Sequence, residues 1–355
     1  MTVISNVMDN SSAFWVVNSL FVFALSVFCA GVLIPQILLI SFRKRLFDVP
    51  DERKIHQGVV PRLGGIAFKP VVFFSVALAL GLNMLLGYGQ FLGNIGSESR
   101  PLAFGFCTIM MLYLVGMADD LIGIRYRAKF AIQIICGLLV IAGGLWINNL
   151  HGLLFIHALL EWIGYPITLF AVVFIINAIN LIDGIDGLAS GLCGVAMLFY
   201  GLVFFIIGEY IYALLAFATL GVLVPFFYYN VFGDPAKKNK IFMGDTGSLT
   251  IGMMTCILSL KLLNGFPVNP SMQQPNAFFL AYSPLIIPCF DVVRVYLHRV
   301  RNGKNPFLPD KNHIHHKMLA IGMKQRTAMI TIVLISVCFT PVSYTHLTLP
   351  TIRLV

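Results

Sequence analysis

FAVVFIINAINLIDGIDGLASGLCGVAMLFY (Phe170–Tyr200) decides the fold. Two apolar runs flank a short polar segment carrying Asn177, Asn180, Asp183 and Asp186. A hydrocarbon core about 30 Å thick is crossed by a helix of about 20 apolar residues, and both runs suit that role. An aspartate costs about 2.5–3.5 kcal/mol at the bilayer centre on insertion scales, so the acids belong to the connection at the membrane surface. The stretch reads as two spans joined by an acidic turn in which Gly184 and Gly187 let a ligand approach the backbone.

The rest of the chain follows the same grammar. Of 355 residues, 58% are hydrophobic and 11% charged, against roughly 25% charged in a soluble domain. Apolar runs near 16–40, 66–88, 101–118, 130–147, 165–180, 188–207, 211–230, 248–263, 278–297 and 328–342 predict an all-α polytopic transmembrane bundle of about ten spans, ten or eleven. The first basic residue is Arg43, so the first run reads as a retained span rather than a signal peptide. Neither an internal repeat nor a linker marks a second domain. Residues 1–342 therefore read as one membrane domain, and 343–355 as an atypical tail, artefactual in character.

Basic residues gather in alternate loops: Arg43, Lys44, Arg45, Arg53, Lys54 and Arg62; Arg125, Arg127 and Lys129; Lys237, Lys238 and Lys240; and a last group from Arg299 to Arg326. The opposite loops contain only Arg100. The positive-inside rule then places the first set in the cytosol and the N-terminus in the periplasm. The net charge of +9 follows from that bias and is no nucleic-acid footprint. The seven cysteines lie singly in apolar runs without a CxxC, as small core residues do.

The acidic clusters and the histidine cluster were not used to set this topology, yet they fall on one side of it. Asp119 and Asp120 close the third span, Asp183 and Asp186 lie in the turn above, Asp245 in FMGDTGS enters the eighth, and Asp291 ends the ninth. His313, His315 and His316 stand in PFLPDKNHIHH. Asp oxygens with neighbouring Asn suit Mg²⁺ bridging to substrate phosphates, with Mn²⁺ as an alternative. The chemistry such a cluster serves is phosphoryl transfer, which needs positioning and charge neutralisation more than a protein nucleophile. Taken alone, the Asp pair also reads as a solvated helix end, HIHH as a zinc site, and FMGDTGS as an ordinary helix start.

Five motifs in order, RKIHQGVVPRLGG (Arg53–Gly65), Asp119–Asp120, NAINLIDGIDGL (Asn177–Leu188), FMGDTGS (Phe242–Ser248) and PFLPDKNHIHH (Pro306–His316), resemble the polyprenyl-phosphate N-acetylhexosamine-1-phosphate transferases. The resemblance covers about Asp48 to Thr340. It implies a bundle of ten or eleven spans in a bacterial inner membrane, with a cytosolic active site. The implied reaction moves N-acetylglucosamine-1-phosphate from UDP-N-acetylglucosamine to undecaprenyl phosphate, releasing UMP, as the first membrane step of a cell-envelope glycan. The histidine loop and PRLGG at Pro61–Gly65 favour the N-acetylglucosamine branch over the one that transfers phospho-N-acetylmuramoyl-pentapeptide.

By position in these motifs, Asp245 is implied as the principal Mg²⁺ ligand together with Asp186, and Asp119 and Asp120 as the pair that positions the lipid phosphate. Asn177, Asn180 and Asp183 are implied to line the nucleotide site, and Asn230 and Phe242 to contact uracil. Arg299, His313, His315 and His316 are implied to hold diphosphate and sugar, with Lys54, His56 and Arg62 in the first loop. Relatives also imply a homodimer. A secondary transporter would carry charge near mid-membrane at a helix break, and a scaffold would have no reason to gather these groups on one face.

Overall fold

The computed structural model describes residues 2–46, 60–89, 98–156, 158–265, 277–303, 305 and 312–348. Among them there is no strand, only an isolated antiparallel bridge between Asn149 and Ala158. The helices are α1 (Thr2–Lys44), α2 (Phe68–Leu85), α3 (Ser99–Ile122), α4 (Tyr126–Ala142), α5 (Glu161–Ile182), α6 (Leu188–Ile206), α7 (Tyr210–Val231), α8 (Gly244–Asn264), α9 (Ala277–Tyr282), α10 (Ile286–Arg301), α11 (Ile314–Ala320) and α12 (Gln325–Thr348). Eight spans among the described residues are long and apolar enough to cross a membrane, with α9 and α10 together forming the last of them. The other two expected stretches fold as the 17-residue α4 and the Gln325–Thr340 part of α12. The run expected at 130–147 ends early because Gly143 caps α4 and Gly144 turns the chain at φ 92°. At the other end of the chain α12 continues past 342 to Thr348.

One helix organises the bundle. Every residue of α8 from Thr246 to Leu263 is buried, and α8 packs against α3 and α5. Three of its hydroxyls are satisfied inside the helix: Thr250 donates to the Thr246 carbonyl, Thr255 to Ile251 and Ser259 to Cys256, the last two at 2.7 and 2.8 Å. Backbone carbonyls accept what neither lipid nor neighbouring helices supply. Large apolar side chains such as Phe28, Phe74, Phe170 and Leu202 face outward, as a surface bathed in lipid requires.

Candidate active site

Two chain segments fix the N-terminal end of α8. Phe242 N–H donates to the Pro61 carbonyl at 2.8 Å, and Gly64 and Gly65 N–H donate to the Phe242 and Met243 carbonyls at 3.0 Å. The PRLGG and FMGD motifs are therefore one paired unit. On the other side, α3 crosses so closely that a Cβ on Gly116 would stand 2.6 Å from the Asp245 carbonyl oxygen. Only glycine permits that approach. It brings Asp119 and Asp120, three and four residues further along α3, to the start of α8.

The two acids then diverge. Both oxygens of Asp120 accept backbone amides of α8: Oδ1 from Asp245 N–H and Oδ2 from Thr246 N–H, each at 2.8 Å, with the Thr246 hydroxyl at 2.6 Å. A carboxylate borrowed from another helix thus caps orphan donors where the helix dipole is positive. Asp119 has one oxygen on Ile124 N–H at 2.6 Å and turns the other to Lys129 Nζ at 3.1 Å. The same ammonium lies 2.6 Å from Asp245 Oδ2, bridging carboxylates of α3 and α8. Asn180 on α5 completes the junction, donating to Asp245 Oδ1 at 3.1 Å and Ser248 Oγ at 2.8 Å.

The turn between α5 and α6 adds Asp183 and Asp186. Asp183 makes no hydrogen bond among the described residues. Burial pushes its carboxyl up to about 7, with the charges of Asp245 and Asp186 adding to the rise and Arg62 opposing it. Asp186 accepts from Lys240 Nζ at 2.5 Å. Asn230, on α7, accepts from Gly187 N–H at 2.7 Å and donates to the Ile241 carbonyl at 2.8 Å. Its amide braces the acidic turn against the approach to FMGD. Asn177 sits deeper, donating to Gln133 Oε1 at 2.6 Å.

The histidine loop closes over this turn. His315 is 1% exposed, and a Cβ on Gly184 would fall 2.2 Å from its Nε2, so the imidazole lies flush on the backbone beside Asp183. Neither of its ring nitrogens finds a hydrogen-bond partner among the described residues. Burial, reinforced by His316 and His313, lowers it to about 4. Its ring stacks on His313 at 5.8 Å and 5° and lies 4.2 Å from His316. Parallel imidazoles do not converge on a common point, and no Cys, His, Asp or Glu trio among the described residues is arranged to hold a metal. Arg299 is buried on α10 and donates to the Asn305 carbonyl at 2.8 Å. Phe242 and Arg62 belong to the paired PRLGG and FMGD unit. Lys54 and His56 lie outside the described residues.

Lys129 is the residue the sequence reading counted for topology and passed over for chemistry. Its signal was its place, nine residues past a paired aspartate in a span connection. The carboxylates of Asp119 and Asp245 are oxygen donors of the kind a hard divalent cation takes, though no third acid among the described residues joins them in a ready-made cage. As the chain stands, Lys129 supplies the positive charge between them.

Residues 102–263, which carry all of these acids, match the family model described as glycosyl transferase family 4. The undecaprenyl-phosphate alpha-N-acetylglucosaminyl 1-phosphate transferase of Yersinia pestis is 31% identical over 306 residues, 83% of this chain and 75% of that protein. The probable undecaprenyl-phosphate N-acetylglucosaminyl 1-phosphate transferase of Bacillus subtilis (strain 168) is 30% identical over 322 residues, 89% and 82% of the two chains. The Escherichia coli O157:H7 protein with the same name as the Yersinia one is 32% identical over 294 residues, 81% and 73%.

Proposed function

The chain belongs to glycosyl transferase family 4 and is a glycosyl-1-phosphate transferase, and on that premise we propose that it transfers N-acetylglucosamine-1-phosphate from UDP-N-acetylglucosamine to undecaprenyl phosphate. The observation that carries this reading is the meeting of Asp119 and Asp245, from two separate helices, around the Lys129 ammonium at one end of the bundle, with the buried Asp183 close enough to feel the charge of Asp245.

The bond that forms joins an oxygen of the lipid phosphate to the sugar-bearing phosphorus. The bond that breaks is the anhydride to UMP. A phosphate monoester is mostly dianionic at neutral pH, so the attacking oxygen needs no strong base. What it needs is a partner that approaches without like-charge repulsion. Lys129 supplies one neutralising charge, and the imidazoles across Asp183 and Gly184 supply hydrogen-bonding groups for phosphate or sugar oxygens. Asp120 keeps the start of α8, and with it Asp245, in place.

A Mg²⁺ ion held by Asp245 with Asp119 and Asp183 would add charge neutralisation at the diphosphate. Asp186 joins that set only by releasing Lys240. We place the site on the cytosolic face of a bacterial inner membrane, with the N-terminus periplasmic and α4 and α12 completing ten spans. Supporting this, Arg125, Arg127, Lys237 and Lys238 border the same end of the bundle as the acids. Association as a homodimer is an expectation from the resemblance alone.

The test is UMP release by purified protein. Release that requires UDP-N-acetylglucosamine, undecaprenyl phosphate and Mg²⁺ together is expected. No release with any UDP-N-acetylhexosamine overturns the reading and favours a transporter or scaffold.

A further inference from the structure

Among the described residues, Asp291 is the one carboxylate within a span whose partners lie in or against the histidine loop. It is 3% exposed, on α10. Its Oδ1 accepts from Ile314 N–H at 2.9 Å and from Arg294 at 2.7 Å, and its Oδ2 faces His313 Nδ1 at 2.8 Å. Arg294 also donates to the Asn312 carbonyl at 2.5 Å. A carboxylate beside a guanidinium stays ionised and can only accept, so His313 carries its proton on Nδ1. His313 Nε2 makes no hydrogen bond among the described residues.

We infer that Asp291 is a positioning residue for catalysis: it fixes His313 so that Nε2 is presented as a hydrogen-bond donor to the diphosphate of the sugar nucleotide. This rests on the transferase reading. Non-bridging phosphate oxygens are acceptors only, so the contact is made through a proton on Nε2. Asp291 holds the opposite ring nitrogen and sets the ring plane. Through the ring stack it also aligns His315 on Gly184, which ties the row of imidazoles to the Asp183–Asp186 turn. An orienting carboxylate behind a working imidazole is the logic of a nucleophile's triad, applied here to a binding group.

The experiment measures kcat and KM for both substrates, UDP affinity by calorimetry, and thermal stability. Asp291→Asn should raise KM for UDP-N-acetylglucosamine about tenfold or more while KM for undecaprenyl phosphate stays within about twofold. Asp291→Glu should recover part of the loss. In a His313→Ala background, adding Asp291→Asn should cost nothing more, because one residue acts through the other. If Asp291→Asn does not fold, His313→Asn decides. Its amide can still donate to Asp291 but leaves nothing at the Nε2 position, so it must show the same selective rise.

Equal losses for both substrates, or a further loss in the His313→Ala background, would each overturn the inference and leave Asp291 a loop anchor. Protein that binds UDP but releases no UMP would defeat the transferase reading instead. The loss of UDP affinity in Asp291→Asn would still decide this one.

Discussion

Asp120 on α3 accepts the backbone amide of Asp245, a residue 125 positions further along the chain, at 2.8 Å. With Thr246 N–H on its other oxygen, it does for α8 what a local Ser or Asp cap does for most helices. Its neighbour Asp119 faces the other way, toward Lys129. An adjacent pair of identical residues is thereby divided between holding the site and forming it.

That division separates the two by mutation. Asp120→Ala strips three hydrogen bonds from a part-buried helix start and should cost about 2–3 kcal/mol of stability, with activity falling as the start of α8 loosens. Asp119→Asn should leave the melting temperature within a few degrees of wild type while turnover drops by about two orders of magnitude. Melting curves and UMP release on matched preparations check both. A stable Asp120→Ala protein would contradict the capping role.

Lys129 joins Asp119 to Asp245 with one ammonium, so Lys129→Met leaves two carboxylates facing each other without a counter-charge. Turnover should fall about a hundredfold or more, the scale of losing a preorganised electrostatic group. Raising Mg²⁺ should recover part of it, because the ion competes for the same carboxylates. Asp245→Asn should not be rescued by Mg²⁺, and wild type in EDTA should be silent. Full activity in a chelator would remove the metal from the mechanism.

Eight of the expected spans, and the gathering of the aspartate clusters at one end of them, were legible in sequence because hydrophobic period and charge bias are local signals. The paired motifs at Pro61–Gly65 and Phe242–Met243 were visible as motifs but not as partners. What escaped was pairing across distance. Lys129 looked like one more basic loop residue, since nothing near it in sequence marks Asp245, 116 positions away. Asp291 read as the end of a span, yet it lies within α10 and anchors a loop 22 residues on. Lys240, too, read only as a loop charge, yet it pairs with Asp186, 54 positions away.

At the far end of α8, Lys261 is clasped by Glu98 at 2.8 Å and Glu209 at 3.0 Å, with the Tyr212 hydroxyl donating to Glu98 at 2.7 Å. Sixteen residues of helix, roughly 24 Å, separate it from Asp245. Lys261→Met would leave two partly buried glutamates without their cation and should cost about 3 kcal/mol. The kcat of the fraction that remains folded should be unchanged. A fall in kcat without a fall in stability would show that this cluster reaches the site.

Topology is checked by labelling in a background without the native cysteines. Asn302→Cys follows α10 at the end of the bundle that carries the acids, and Asn148→Cys lies in the connection between α4 and α5. A membrane-impermeant thiol reagent should label Asn148→Cys in intact cells and Asn302→Cys only after the cytosol is opened. The reverse pattern would put the acids on the side that lacks UDP-sugars.

His315 gives stability a slope with pH. Burial, together with His316 and His313, holds it at about 4 in the folded chain, below the ordinary value of 6.5. Above about pH 6.5 it is neutral in folded and unfolded chains alike, and its contribution is fully present. As pH falls from about 6.5 to about 4, the unfolded chain takes up a proton that the folded chain refuses, so stability is lost through that window. The loss from this one group is about 3 kcal/mol. His315→Phe removes the titration and two unpartnered nitrogens while keeping a flat ring against Gly184. The variant's melting temperature should therefore match or exceed wild type at pH 7.5 and pull further ahead toward pH 4.5, while activity with UDP-N-acetylglucosamine is lost. His313 and His316 are present in both proteins, so the difference between the two curves isolates His315. Parallel melting curves across that range would mean that His315 is not held neutral by burial.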